Sequence, residues 1–201
     1  MSTEREYRPL QFVDKLEGNN HILLLFDDQK YANLVIFRYL SNGLKKGESC
    51  ILFAPDDPVT IESAMRDSGI DVDLHKNANT LRVYQIDRSD SAKVDTLATL
   101  RKIRDEATRG MKPPFRFAGR TITDIETLQG MKLGIELEHS GQANFESFEC
   151  SQLCYYDIDK IEPTMRQSWI SGLLKNHHHV IYASDPGKAV AFETDLLEQE
   201  A

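Results

Sequence analysis

No apolar run in this chain approaches the ~20 residues that a helix needs to cross a bilayer. Its opening, Met1-Ser-Thr-Glu-Arg-Glu-Tyr-Arg8, lacks the apolar core of a signal peptide. Cysteine is scarce: Cys50, Cys150 and Cys154 are the three in 201 residues. An odd, sparse set argues against a disulfide framework and fits a reducing compartment, so a cytoplasmic location is expected. Dense Lys/Arg runs are missing too, and 24 basic against 32 acidic residues give a formal charge of −8. That balance disfavours nucleic acid and anionic membrane as direct partners, because both require basic surface. Catalytic signatures are equally absent. There is no Gly-x-Ser-x-Gly elbow and no His-Glu-x-x-His, and Gly187-Lys188 has Tyr182 where a phosphate loop needs its first glycine.

What is present is a run of alternating strands and helices. His21-Ile-Leu-Leu-Leu-Phe26 is a continuous apolar strand that leads through Asp27-Asp28 into a helical pattern over about 30–45. Further strands are expected at Ser49–Ala54, Leu81–Ile86, Phe115–Ala118, Gln152–Tyr156 and His179–Ala183, with a short extended segment over 188–192. Helices are expected over about 59–68, 92–109, 125–139 and 165–175, and Gly69 stands where a left-handed cap belongs. Strands that alternate with helices of this length predict right-handed βαβ units, hence an α/β fold with a mostly parallel sheet flanked by helices. The expected organisation is a lead-in over residues 1–20, one domain over 21–192, and an acidic tail over 193–201.

Open parallel sheets bind ligands beyond the carboxyl ends of their strands. Asp27, Asp28, Pro55-Asp56-Asp57, Asp87, Gly119-Arg120 and Asp157 all follow strands and fall on that edge. They could line a site with Arg120 as the counter-charge, or each aspartate could simply cap a helix or make a turn. The His177-His178-His179 tract does not read as a metal site, because neighbours entering a strand point to opposite faces. His21 and His75 could join it only through tertiary structure. Cys150 and Cys154 form a C-x3-C pair with no second pair, and Cys154 reads as a small core residue. No metal and no cofactor is expected.

The order of these pieces resembles a known family. The pieces are His21–Asp28, then Gly43-Leu-Lys-Lys-Gly47-Glu48 and the strand that ends at Ala54-Pro55, Ser68-Gly69-Ile70-Asp71-Val72, and Leu153-Cys-Tyr-Tyr-Asp157 before His177–Tyr182. The pattern is similar to the MEDS domain, the sensory domain of methanogen and methylotroph regulators such as the dichloromethane-response regulator. The matching positions are His21, Phe26, Gly43, Gly47, Pro55, Gly69, Gly119, Cys154, Tyr156 and Asp157, while Arg120 stands where the family often has an acidic residue. The resemblance implies a RecA/KaiC-like three-layer sandwich without its phosphate loop. It also implies a sensory role in signal transduction or transcriptional control, with a small-molecule or hydrocarbon-like input and no catalytic set. A separate signalling protein, such as a histidine kinase or transcription regulator, is the expected partner, and a homo-oligomer, since RecA-like folds often assemble side by side, is left open.

On this reading the ligand-binding residues are His21, Phe26, Asp27, Tyr31, Gly119, Arg120, Tyr156 and Asp157, with a pocket among His21, Phe26, Tyr31, Gly119, Arg120 and Tyr156. Two alternatives stay open. One is a nucleotide-binding or nucleotide-hydrolysing enzyme that uses Asp27, Asp28 and Asp157 with a metal. The other is an interaction subunit that binds no ligand.

Overall fold

The structure is a computed structural model that describes residues 7–54, 57–85, 96–119, 125–143, 145 and 149–194. In chain order the elements are α1 (Arg8–Lys15), β1 (His21–Phe26), α2 (Gln29–Lys45), β2 (Ser49–Ala54), α3 (Pro58–Asp67), α4 (Val72–Asn77) and β3 (Leu81–Gln85). They continue with α5 (Thr96–Thr108), β4 (Phe115–Ala118), α6 (Leu128–Ala143), β5 (Cys150–Asp157), α7 (Arg166–Lys175), β6 (His179–Ala183) and β7 (Val190–Glu193). The sheet runs β3-β2-β4-β5-β1-β6-β7. The pairs from β3 to β6 are parallel, and β7 returns antiparallel on β6. The expected α/β class and parallel sheet are therefore correct.

The apolar runs are fully buried strands because helices cover both faces of the sheet. Alternation divides each strand between them. Ile22, Leu24 and Phe26 of β1 pack with residues of α1 and α2, together with Met65 of α3. Leu23 and Leu25 face the other way, toward Met131 of α6 and Trp169 and Leu173 of α7. Trp169 crosses Tyr156 edge to face at 4.7 Å, and its indole N–H donates to the Met131 carbonyl at 3.1 Å. The third layer is completed by Ile103 and Ala107 of α5 against Ile51, Phe53 and Phe117.

Two short helices, α1 and α4, lie where the sequence reads as lead-in and polar loop. In α1 the apolar residues Leu10 and Val13 sit three apart among charges, a signal too short to stand out, yet both are buried. Tyr7 ties this segment down by donating its hydroxyl to the Ser184 carbonyl at 2.8 Å. Gly69 takes φ +85°, the left-handed conformation expected there. Gly43 has a packing reason. A Cβ there would lie 2.6 Å from Cδ of Arg116, a buried guanidinium that donates to Glu48 at 2.6 Å and to the Tyr39 carbonyl at 2.9 Å.

Candidate functional site

Chain topology sets the place to look. α2, which follows β1, packs on one face, whereas α7, which follows β5, packs on the other, and β1 and β5 are neighbours. Their carboxyl ends therefore flank a topological switch point. At that edge Asp27 accepts the Tyr182 hydroxyl at 2.6 Å and the Ser184 hydroxyl at 3.0 Å. The Tyr182 hydrogen bond is the main reason that its carboxyl lies below the ordinary range. Asp28 caps α2, accepting the Lys30 N–H at 2.8 Å. The amide that a phosphate would seek at this helix start is thus taken by a carboxylate of the chain itself. Asp57 caps α3 in the same way through Val59 N–H at 3.3 Å. Asp157 holds its own turn, accepting Asp159 N–H at 3.1 Å, with Lys160 at 3.5 Å.

Beside this edge a cavity of about 260 Å³ opens between α2 and α3. Ile36, Phe37, Ile61 and Tyr155 give it an apolar wall, and Gln29 and Asn33 provide polar groups. None of the lining residues carries a charge.

The expected pocket does not assemble as one site. Phe26, Asp27, Tyr31, Gly119 and Asp157 lie at or next to the carboxyl edge. His21 starts β1, so about 16 Å of extended strand separates it from that edge. Tyr156 points to the far face and is fully buried, donating its hydroxyl to Glu138. Phe26 is itself a core residue, and Tyr31 packs on Tyr7 at 5.7 Å between ring centres. Gly119 has φ +132°, and a Cβ there would meet the Phe53 backbone carbonyl at 2.7 Å, so it is a packing glycine. Arg120, Asp56, Asp87 and the start of the helix expected over 92–109 lie outside the described residues.

A second polar assembly sits under α6 and α7, near the opposite end of β1. His21 of β1 and Cys154 of the adjacent β5 face the same side of the sheet. Glu138 of α6 and His177, between α7 and β6, close over them. The four residues are 1%, 1%, 7% and 3% exposed in that order, and their ligating atoms all lie within 4.8 Å of one another. The His177-His178-His179 tract itself does not converge, as its spacing implies. One member joins His21 instead, with ring centres 4.0 Å apart. Burial pushes the His21 imidazole down to about 3 and that of His177 down to about 4, so both rings are neutral near pH 7. Burial also pushes the Cys154 thiol well above its usual value. Glu138 was missed by sequence reading, since one glutamate in an amphipathic helix looks like any solvated one. No local spacing marks it, because its partners come from β1, β5 and the turn after α7.

The model of the MEDS family, the MEthanogen/methylotroph, DcmR Sensory domain, matches residues 20–178. The chain belongs to the MEDS family. Membership gives it a sensory role in signalling. The MEDS fold here is similar to a Pyrococcus horikoshii OT3 protein solved as a structural study, with TM-score 0.60, 10% identity, and 92% of this chain and 91% of that one covered. It is also similar to a KaiC-like protein of the same archaeon, with TM-score 0.58, 9% identity, and 83% and 72% covered. The RecA/KaiC-like architecture is thereby shown, and identities this low speak for fold alone. No curated protein sequence matches significantly. Among the described residues no helix is long and apolar enough to cross a membrane.

Proposed function

We propose that this MEDS domain is a non-catalytic sensory module that takes a small, uncharged, largely apolar molecule between α2 and α3. It passes its state to a signalling protein such as a histidine kinase or transcription regulator. One observation carries the reading: an uncharged cavity lies beside the first strand-to-helix turn, where Asp28 already occupies the helix start. A nucleotide phosphate would meet Asp27 and Asp28 there rather than free amides. At about 260 Å³ the space falls just below the ~300–1,000 Å³ of pockets for drug-sized ligands, so its occupant has few heavy atoms. A ligand that wedges between Ile36 and Phe37 of α2 and Ile61 of α3 would set the spacing of the two helices, and that spacing is what a partner would read.

The test is native mass spectrometry with Mg-ATP, paired with NMR titration using a panel of small neutral organic molecules. Expected are shifts clustered on α2 and α3, loss of those shifts in Ala64→Phe, and no ATP adduct. A stoichiometric ATP adduct would move the nucleotide enzyme to the front. Silence across the whole panel would favour an interaction subunit.

A further inference from the structure

The buried assembly on the opposite face has the composition and the spacing of a metal centre. We propose that His21 Nε2, Glu138 Oε2, Cys154 Sγ and His177 Nε2 form a tetrahedral site for a zinc-type divalent cation. The proposal stands whether or not the α2–α3 cavity takes its ligand. Sγ of Cys154 lies 3.5 Å from His21 Nε2 and 3.7 Å from Glu138 Oε2. Glu138 Oε2 is 3.6 Å from each imidazole Nε2. Zinc bonds of ordinary length at tetrahedral angles place such donor pairs about 3.3–3.6 Å apart. Four of the six edges of the polyhedron are thus close to the size the ion would impose, and the other two lie within 4.8 Å.

The donors are also presented the right way round. His177 Nδ1 lies 2.7 Å from the Leu173 carbonyl, which can only accept, so the ring proton is on Nδ1. Its Nε2 lone pair then faces the Glu138 carboxylate, and this nitrogen has no hydrogen-bond partner among the described residues. A lone pair set against a carboxylate in a dry interior is repulsive, and a cation between them removes the conflict. Tyr156 holds the other oxygen of Glu138 by hydrogen bond, which leaves Oε2 for the centre. Cys154 Sγ accepts from Gln152 Nε2 at 3.0 Å, and Arg104 donates to Gln152 Oε1 at 2.6 Å, a chain of donors suited to a thiolate. Hydrogen bonds that orient each ligand from behind are the usual surroundings of a protein metal site.

Gln142 controls the remaining donor. Its Oε1 lies 2.8 Å from His21 Nδ1, and its Nε2 lies 3.0 Å from His178 Nε2. In this orientation the amide oxygen takes the His21 Nδ1 proton and leaves Nε2 bare toward the cluster. His178 Nδ1, however, also accepts the His21 backbone N–H at 3.2 Å, and a neutral ring cannot accept at both nitrogens. Turning the amide over satisfies His178 and moves the His21 proton to Nε2. A bound cation selects the first arrangement, and the metal-free cluster selects the second.

Two neutral imidazoles, one thiolate and one carboxylate suit zinc, and their two negative charges balance a divalent ion, so the occupied site is neutral overall. The thiol proton leaves as the ion enters, and the Cys154 S–H bond is exchanged for a metal–sulfur bond. All four positions are filled by protein atoms, the arrangement of a site that holds structure. The ion would clamp β1, β5, α6 and the α7–β6 turn together.

Metal content of the full chain as purified, followed by chelation and titration with Co²⁺, tests this. Expected are one ion per chain, the visible absorption of tetrahedral cobalt, a near-ultraviolet thiolate-to-cobalt band, and displacement of cobalt by Zn²⁺. Cys154→Ser should abolish the thiolate band and weaken binding by more than about tenfold, whereas Gln142→Glu, which fixes the His21 Nδ1 proton, should tighten it. Should Cys154→Ser fail to fold, the melting temperature of the unaltered protein still decides, rising with Zn²⁺ and falling with chelator. A thiolate band unchanged in Cys154→Ser would overturn the proposal. So would folded protein that takes up no cobalt and melts at the same temperature with and without zinc.

Discussion

The carboxyl edge of the sheet and the cluster beneath α6 and α7 both gather polar residues, and they do so by opposite means. At the edge each aspartate is satisfied by its own neighbourhood. Asp28 and Asp57 cap the helices they precede, and Asp157 closes its own turn. In the cluster local contacts are few, His177 Nδ1 to the Leu173 carbonyl and Gln152 Nε2 to Cys154 Sγ, and the four side chains meet only through the fold. His21 comes together with Glu138, Cys154 and His177 only because β1 lies beside β5 and two helices close over both. Local satisfaction leaves a group near water and costs little to change. Assembly by the fold places neutral imidazoles and a carboxylate where their environment decides their protonation, and there a change is felt by the whole domain.

Acid should separate the two regions most strongly. The unfolded chain protonates its histidines near pH 6.5, whereas burial holds His21 at about 3 and His177 at about 4 in the folded protein. Folded pKa values below the unfolded one mean that the unfolded state binds more protons between them. This contribution to stability is therefore complete above about pH 6.5 and is lost progressively as pH falls toward the folded values. Each histidine contributes a slope of roughly 1.4 kcal/mol per pH unit, so metal-stripped protein should lose about 2–3 kcal/mol per unit between roughly pH 6 and 4. Urea unfolding across that range measures the slope, and His21→Gln should halve it. Asp27 responds in the same direction but in a lower pH window. Its depressed carboxyl contributes above the ordinary carboxylate range and loses that contribution only at lower pH, so the edge should be silent where the cluster responds.

Substitution gives a smaller contrast of the same kind. Glu138→Ala leaves the buried Tyr156 hydroxyl without its carboxylate and opens space among three other polar groups. Loss of a buried charge-assisted hydrogen bond, together with the space left among polar groups, predicts about 3 kcal/mol of destabilisation by urea titration. Asp157→Ala removes a solvent-side turn contact and a 3.5 Å ion pair, and should cost less than about 1 kcal/mol. Equal costs would mean that burial does not distinguish the two regions.

The same division explains what could be read from the sequence. Strand β1 is a run of six buried residues, α2 ends at Lys45 just before Gly47 with its φ of +81°, and β6 turns back through Asp185-Pro-Gly187, so their places follow from local pattern. Helices α1 and α4, of eight and six residues, are too short to show a period above their charges. The edge was legible because ligand loops follow strands in a parallel sheet. The cluster was not, because neither the C-x3-C spacing nor the histidine tract specifies that residue 21 meets residues 138, 154 and 177. His21 and Tyr156 were singled out, but they belong to the cluster and its supporting shell rather than to the edge. Strand parity separates Tyr156 from that edge, and strand length separates His21.

The smallest effect is the sharpest check on local satisfaction. Asp28 caps α2 and, on the proposed reading, stands where a phosphate would sit, so Asp28→Ala tests both roles at once. Loss of the cap predicts about 1 kcal/mol of destabilisation, measured by urea unfolding. It also frees the Lys30 amide and takes away one negative charge, which makes the helix start more hospitable to an anion. If Asp28 alone kept nucleotide out, the variant would gain a phosphate or Mg-ATP adduct in native mass spectrometry. The expectation is that it does not, because Asp27 remains charged two hydroxyls deep at the same edge and none of the glycines of a phosphate loop is present. Loss of stability without gain of nucleotide would show that the turn after β1 lacks phosphate chemistry throughout its sequence.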